Sequence, residues 1–596
     1  PNYTVCVGLQ DDNSWCGPSS SDNAIGVLNR DWYQVGPGDG MWALFDPRDS
    51  GLVWSTSTNS DTGQVYLFNA ATKQVDEVSP DAESNGEIGA HALHYRFNWD
   101  TPLAFTGDGK ALAGGNVVFE SADRGQTWSV ISPDLTRDDK SKQRESGGPI
   151  GNDESGAEIY DTLLYLATTK LDAGIIWAAT DDGLVQITRD RGAHWSNVAP
   201  PESLVPPWGR VMGLDPSPYA AGTAFVAVER HLLGDDRPYL LRTDDYGAHW
   251  RSIAGDLPQN QFARTVRQDP RNANVLYAGT NRGVWVTFDG GTHWQSLRLN
   301  APATAIYDLE IQPDANDLVV ASHGRGVWIL DDLRPLQESW RVASSPVTLF
   351  APRDAYRMWR WAPVNTFTNP AVPPPEFIGP NAPNGAILTY YLARAAKSAT
   401  IEFLDARGTV VRALEAKDSP KNAGMNRASW DLAENGPAKW KGTYKQNQGF
   451  ETGAEVVPGS YIVRLTIDGI VTTVPLTVKA DPRDPSTAAA YRQRHDFLAG
   501  LYADLGAIDT MLNALDARLK TATPEQRGKL VAFKHRLTYD PKNIEDLSGP
   551  PQIRERLIDL IGRLGTSFQA PTAAQQEAAG GYKASVDQLE TTFKGL

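Results

Sequence analysis

Short alternations of apolar and polar residues fill the first three-fifths of the chain, in groups of four separated by turn residues. Residues 264–298 show the unit. Arg264–Gln268, Val275–Gly279, Val284–Thr287 and His293–Leu297 alternate or are β-branched, and Asn281-Arg282-Gly283 supplies a tight turn between the second and third. Labelled A to D, such strands recur near 3–35, 41–79, 92–132, 160–198, 210–254, 264–298 and 305–351. In the last, Gly326–Asp332 reads as strand C and Val347–Phe350 as strand D. Tyr3–Leu9 reads as strand B, so polypeptide preceding Pro1 is expected to supply an inner strand to the first unit.

The pattern then changes. Residues 352–384 are Pro-rich, with Pro363, Pro370 and Pro373-Pro-Pro375, and read as an extended linker that carries Trp359-Arg360-Trp361. Residues 385–480 alternate again in six or seven short strands, which predicts a β-sandwich resembling fibronectin type III with Trp430 in its core. Across 486–596 the period becomes helical. Phe497, Leu501, Leu505, Ile508, Leu512, Leu515 and Leu519 form one apolar stripe, and Thr523-Pro524 and Pro550-Pro551 are helix-entry signals. A helical bundle is expected.

Composition narrows the function classes. The chain has 596 residues and a formal net charge of −16. No basic stripe stands out, which excludes a nucleic-acid surface. No apolar run approaches the ~18–20 residues of a membrane helix. Cys6 and Cys16 are the two cysteines. They are either free buried thiols or a short-loop disulfide across neighbouring strands, and the second would imply an oxidising compartment, periplasmic or secreted.

One motif recurs: Ser/Thr-x-Asp-x-Gly-x-x-Trp. It stands at Ser121–Trp128, Thr188–Trp195, Thr243–Trp250 and Thr287–Trp294, a spacing of about 40–50 residues plus insertions, as in propeller blades. The aspartates Asp123, Asp190, Asp245 and Asp289 bond backbone amides in a tight turn, Gly supplies the positive φ, and Trp128, Trp195, Trp250 and Trp294 return to the core. The motif resembles the Asp-box, or bacterial neuraminidase repeat, of sialidases, two-propeller xyloglucanases and sortilin-type receptors. In that family the box is structural. The runs Val7–Ser19, Val130–Thr136 and Ser322–Asp332 resemble large bacterial Asp-box proteins labelled "glycosyl hydrolase" or sortilin N-terminal-like. The resemblance implies a seven-bladed β-propeller over 1–351, with a further propeller upstream.

Strand order puts the boxes, as C–D turns, on one face, and the B–C and D–A connections on the other. The long insertion Asp134–Glu158 and the enlarged loop Arg230–Pro238 both fall on that second face, which marks it as the binding face. Asp181, Asp182, Arg282, His323 and Arg325 are its candidate binding residues; the arginines offer planar forks for carboxylates. Asp235-Asp236 could hold a structural calcium, though not at Ca-loop spacing; no other metal or cofactor site is visible. Asp39 is similar to the Gly-Asp segment that carries the general acid in two-propeller xyloglucanases, but the Gly-Phe-x-His that follows there is absent. Its partner carboxylate would lie upstream. Three readings follow: an extracytoplasmic binding or scaffold protein for a peptide or glycan, a glycoside hydrolase, or an envelope assembly factor.

Overall fold

Strand alternation sets the architecture of the N-terminal part. A computed structural model describes residues 3–59, 61–85, 88–148, 150–152, 159–360, 378–444, 447–543, 546, 548–564 and 568–596. Two compact units divide the chain. Pro1–Ser21, Ile25–Ser339 and Phe367–Asn381 form the first; Asp22–Ala24, Trp340–Thr366 and Ala382–Leu596 form the second.

In the first unit, five four-stranded antiparallel sheets follow one another over 39–77, 103–130, 163–197, 210–252 and 263–296, each with its strands in chain order. A three-stranded sheet of Thr4–Gly8, Ser14–Pro18 and Tyr33–Gly36 precedes them. Another, of Ile306–Gln312, Asp317–Ser322 and Val327–Leu330, follows. They are counted here as the first to seventh sheets. The arrangement is consistent with a β-propeller.

The second to sixth sheets each bury both faces against their neighbours. Trp54 and Val65 of the second pack on Leu103 and Ala113 of the third, and Leu112 and Val118 of the third pack on Leu163 and Leu166 of the fourth. Such two-sided burial explains why the central strands read as nearly continuous apolar runs. The Tyr3 hydroxyl lies 3.2 Å from the Asp317 carboxylate, bringing the first sheet beside the seventh.

The innermost strands of the fourth to seventh sheets share an irregularity. A β-bulge falls between Leu163 and Tyr165, Val211 and Gly213, Ala263 and Thr265, and Ile306 and Asp308. The extra residue is Leu164, Met212, Arg264 or Tyr307. Bulges re-aim side chains at the rims of closed β structures.

Side chains of non-neighbouring sheets meet between these strands. The Trp42 ring stands edge-on to Tyr165 at 4.9 Å, and Arg267 donates to the Tyr165 hydroxyl and to Asp308, each at 2.7 Å. The second, fourth, sixth and seventh sheets are thus joined across the middle.

Two boundaries differ from the sequence reading. Val347–Leu349 is not a fourth strand of the seventh sheet; it pairs with Ala386–Leu392 in the second unit. A helical turn, Arg334–Gln337, and the 3-10 segment Ser339–Ser344 carry the chain away, and Val347 and Leu349 bury among Leu388 and Leu392. Residues 352–384 are not wholly a linker. Ala355–Arg357 pairs in parallel with Ile470–Ala480, and Ile378–Gly379 pairs with Val27–Leu28 of the first unit. The proline cluster and Trp361 lie outside the described residues.

In the second unit a three-stranded and a five-stranded sheet share one core, where Trp430 stacks on Phe403 at 4.2 Å. The helices Ala488–Leu519, Pro524–Leu537, Ile553–Leu564 and Ala573–Lys594 enclose a second core around Leu505, Ile508, Leu512 and Leu515. Thr523 and Thr572 each close a capping box with the glutamine three residues on. The bundle also buries an ion pair that the apolar stripe gave no hint of: Arg554 Nε lies 2.5 Å from Asp509, both side chains almost fully enclosed.

Candidate functional site

The four repeated turns are hydrogen-bonded almost to saturation. In the fourth sheet the Asp190 carboxylate accepts from the Thr188 hydroxyl, the His194 amide and the His194 ring, while Thr188 Oγ1 accepts from the Gly192 amide. The same set recurs at Asp245 and Asp289, and at Asp123 with Thr127 in place of histidine. The His194 hydrogen bonds hold Asp190 down at about 2; at Asp289, also at about 2, the His293 amide and ring outweigh the cost of burial. Both oxygens of each of these carboxylates are engaged within the turn.

The tryptophans do more than return to their own sheet. Nε1 of Trp128, Trp195, Trp250 and Trp294 donates to the carbonyls of Val78, Ile131, Val198 and Ile253, at 2.8, 2.9, 2.7 and 2.9 Å. Each carbonyl belongs to the end of the preceding sheet. The motif glycine packs on the same residue: a Cβ at Gly125 or Gly247 would stand 2.5 Å from Val78 or Val198. Every box therefore clamps the sheet before it.

The opposite face has a different chemistry. Asp39 opens the second sheet, and its carboxylate accepts from the Asp11 amide at 2.8 Å, so it organises the 9–13 turn. Asp181 and Asp182, expected to face a ligand, are instead enclosed. Asp181 accepts from the Thr162 amide and hydroxyl and from Asn98, and Asp182 from the Arg137 amide and the Thr180 hydroxyl. Burial pushes Asp181 up to about 7 and Asp182 up to about 6. The reason is the insertion. Arg137 also donates to the Asp182 carbonyl, Gln143 donates to Asp161 at 2.7 Å, and Arg137 and Lys142 both lie over the Trp208 ring. Its first half is fastened down over the fourth and fifth sheets; residues 149 and 153–158 lie outside the described residues.

Asp235 holds no vacant carboxylate for calcium. Arg237, Arg230 and Tyr239 occupy it, and the Arg237 hydrogen bonds draw its pKa below the usual carboxylate range. Among the described residues no cluster of three His, Cys, Asp or Glu side chains is arranged to hold a metal ion. Cys6 and Cys16 face each other in adjacent strands and are joined by a disulfide.

Arg282, His323 and Arg325 are exposed on turns of the sixth and seventh sheets. The structure adds neighbours that sequence reading missed. Arg264, at its bulge, lies 4.1 Å over the Tyr307 ring, and Tyr307 stacks on His323 at 4.9 Å. Glu229 pairs with both Arg264, at 2.8 Å, and His231, at 2.7 Å, and the His231 ring stacks on Phe262 at 4.3 Å. A ladder of π faces thus runs across three sheets. Its signal in the sequence was an Arg and a Tyr at the second position of the first strands Ala263–Gln268 and Ile306–Gln312. Leu232 and Leu233, next in the chain to His231, are 68% and 54% exposed, and Leu299, next to Arg298, is 67% exposed. Such a set can hold a ligand by stacking, guanidinium hydrogen bonds and apolar contact.

No family model matches the chain. A xyloglucanase of Hypocrea jecorina (strain QM6a) is 26% identical over 157 residues. That segment is 25% of this chain and 16% of the xyloglucanase, so only a small part of the relative's length is matched. Among solved structures, the GH74 xyloglucanase from Xanthomonas campestris aligns with a TM-score of 0.36 at 17% identity, over 56% of this chain and 54% of that one. YCF48 bound to D1 peptide aligns with a TM-score of 0.28 at 14% identity, over 49% and 91%. No helix among the described residues is long and apolar enough to cross a membrane.

Proposed function

We propose that this chain is an extracytoplasmic binding protein: a seven-bladed β-propeller with Asp-boxes, a fibronectin type III-like sandwich and a helical bundle, holding a peptide or glycan on its B–C/D–A face. The observation that supports this reading is three exposed leucines, Leu232, Leu233 and Leu299, on B–C and D–A connections, the same side in strand order as the turns that carry Arg282, His323 and Arg325. Exposed apolar groups gathered on one face mark interaction sites. The Cys6–Cys16 disulfide supports a periplasmic or secreted location. A binding screen on immobilised peptides and glycans tests the reading. Ligand capture lost in Leu232→Ser/Leu233→Ser, with the fold intact by circular dichroism, is expected. Capture that this pair of changes leaves intact, and that substitution of exposed His194 and His249 on the box face abolishes, would refute it.

A second reading is glycoside hydrolysis, favoured by the segment resembling a xyloglucanase and by Asp39 on the same face. Reducing-end release from xyloglucan by the native protein, lost in Asp39→Asn, would establish it. Equal release by both would remove Asp39 as the acid.

A further inference from the structure

The proposed binding face has one corner whose charge runs against the rest of the chain. Four segments form it: 257–264 leading into the sixth sheet, 280–283 at its B–C turn, 297–307 leading into the seventh, and 322–326 at the B–C turn there. They are packed together. The Asn281 amide donates to the Phe262 carbonyl, the Leu297 amide to the Val284 carbonyl, and the His323 amide to the Ala305 carbonyl. Arg298 lies alongside the Gly283 turn.

These segments contain Arg264, Arg282, Arg298, Arg325 and His323 and no Asp or Glu, in a chain whose net charge is −16. Arg282, Arg298 and Arg325 are exposed, and none of them makes an ion pair or a side-chain hydrogen bond among the described residues. Only Arg264 is compensated, by Glu229. Its side chain is nine-tenths buried. Uncompensated guanidiniums on adjoining turns set up a positive potential that favours carboxylates, which a planar fork can grip bidentately.

Tyr307 is engaged by its neighbours, with Arg264 4.1 Å from its ring centroid and His323 stacked on it at 4.9 Å, and stays 42% exposed. The other exposed apolar side chains on these connections are aliphatic: Leu299 on the connection into the seventh sheet, and Leu232 and Leu233 in the B–C loop of the fifth. Aliphatic contacts alternating with guanidiniums fit a chain of alternating apolar and acidic side chains.

We infer that this corner docks an acidic, leucine-type peptide segment of a partner protein, its carboxylates on Arg282, Arg298 and Arg325 and its apolar side chains on Leu299 and the Leu232–Leu233 tip. This rests on the binding-face reading above and names its ligand class.

The test uses the whole chain and a fluorescein-labelled peptide of alternating Glu-Glu and Leu-Leu pairs, with a Lys-for-Glu peptide and polygalacturonate as competitors. Saturable binding of the acidic peptide is expected. It weakens steeply as salt rises, and at least about tenfold in Arg282→Glu/Arg298→Glu/Arg325→Glu, because rim charges act on encounter and are screened over about 8 Å at physiological salt. The milder Arg→Gln triple variant is read in parallel and should lose binding in the same order. The inference is overturned if the acidic peptide does not bind, if both triple variants bind it as the native chain does, or if polygalacturonate displaces it and the Lys peptide binds equally. Binding that responds to Leu232→Ser/Leu233→Ser but not to the arginines overturns the acidic partner while leaving the face a binding surface.

Discussion

The phenol of Tyr3 donates a hydrogen bond to the Asp317 carboxylate at 3.2 Å, across 314 positions of sequence. It is a contact between the first and the seventh sheets, where no shared strand joins them. Tyr3→Phe keeps the ring and removes the donor. A destabilisation of about 1 kcal/mol is expected, the usual net worth of one hydrogen bond. Urea unfolding followed by tryptophan fluorescence measures it.

The tryptophan clamps give a graded series. Replacing Trp195 by Phe keeps an aromatic ring but leaves the Ile131 carbonyl without its donor. The expected cost is about 1–3 kcal/mol, the penalty for an unsatisfied buried acceptor plus lost packing. Trp294, the most enclosed of the four, should cost more than the half-buried Trp128 and Trp250. Equal, negligible losses at all four positions in chemical denaturation would show that the clamps contribute nothing.

Asp181 predicts a sign in the pH dependence of stability. Burial raises its folded value to about 7, above the ordinary value near 4 of an unfolded chain. The unfolded state therefore gives up its proton first. The contribution to stability is fully present below about pH 4 and is lost as pH rises towards 7. Asp181→Asn should flatten the profile in that window, and thermal midpoints collected from pH 4 to pH 8 would reveal it. The box ion pair at Asp190, with its folded value near 2, works the other way: its contribution is present above about pH 4 and is lost as pH falls towards 2.

The Arg554–Asp509 pair supplies the fourth expectation. Arg554→Met leaves Asp509 charged and enclosed, with the Trp440 amide among its few remaining partners. A loss of about 3–5 kcal/mol is expected, and Arg554→Met/Asp509→Leu should recover much of it. Denaturant midpoints of the single and double variants decide this.

Much of the fold was legible because strands and boxes repeat. The four Ser/Thr-x-Asp-x-Gly-x-x-Trp turns fixed where sheets end, and the strand reading of 264–298 matches the sixth sheet to within a few residues. The helix Pro524–Leu537 was visible from its Thr523-Pro524 entry signal. Val347–Leu349 was misplaced because a short apolar strand carries no mark of the sheet it joins; only the long-range partner Ala386–Leu392 decides that. The site was less legible. Arg282, His323 and Arg325 could be placed on one face from turn order alone. Arg264, Glu229 and Tyr307 could not, because a bulge shifts side chains against the two-residue period that sequence reading depends on. Asp181 and Asp182 looked like ligands because an Asp-Asp-Gly turn is normally exposed, and nothing in its own sequence tells that an insertion some forty residues upstream folds over it.

The meeting of Trp42, Tyr165, Arg267 and Asp308 between the innermost strands has a topological meaning. Tyr165 touches Trp42 of the second sheet and Arg267 of the sixth, and Arg267 in turn holds Asp308 of the seventh. One pin thus runs through four staves, so a change at Tyr165 is felt in sheets remote from it in sequence.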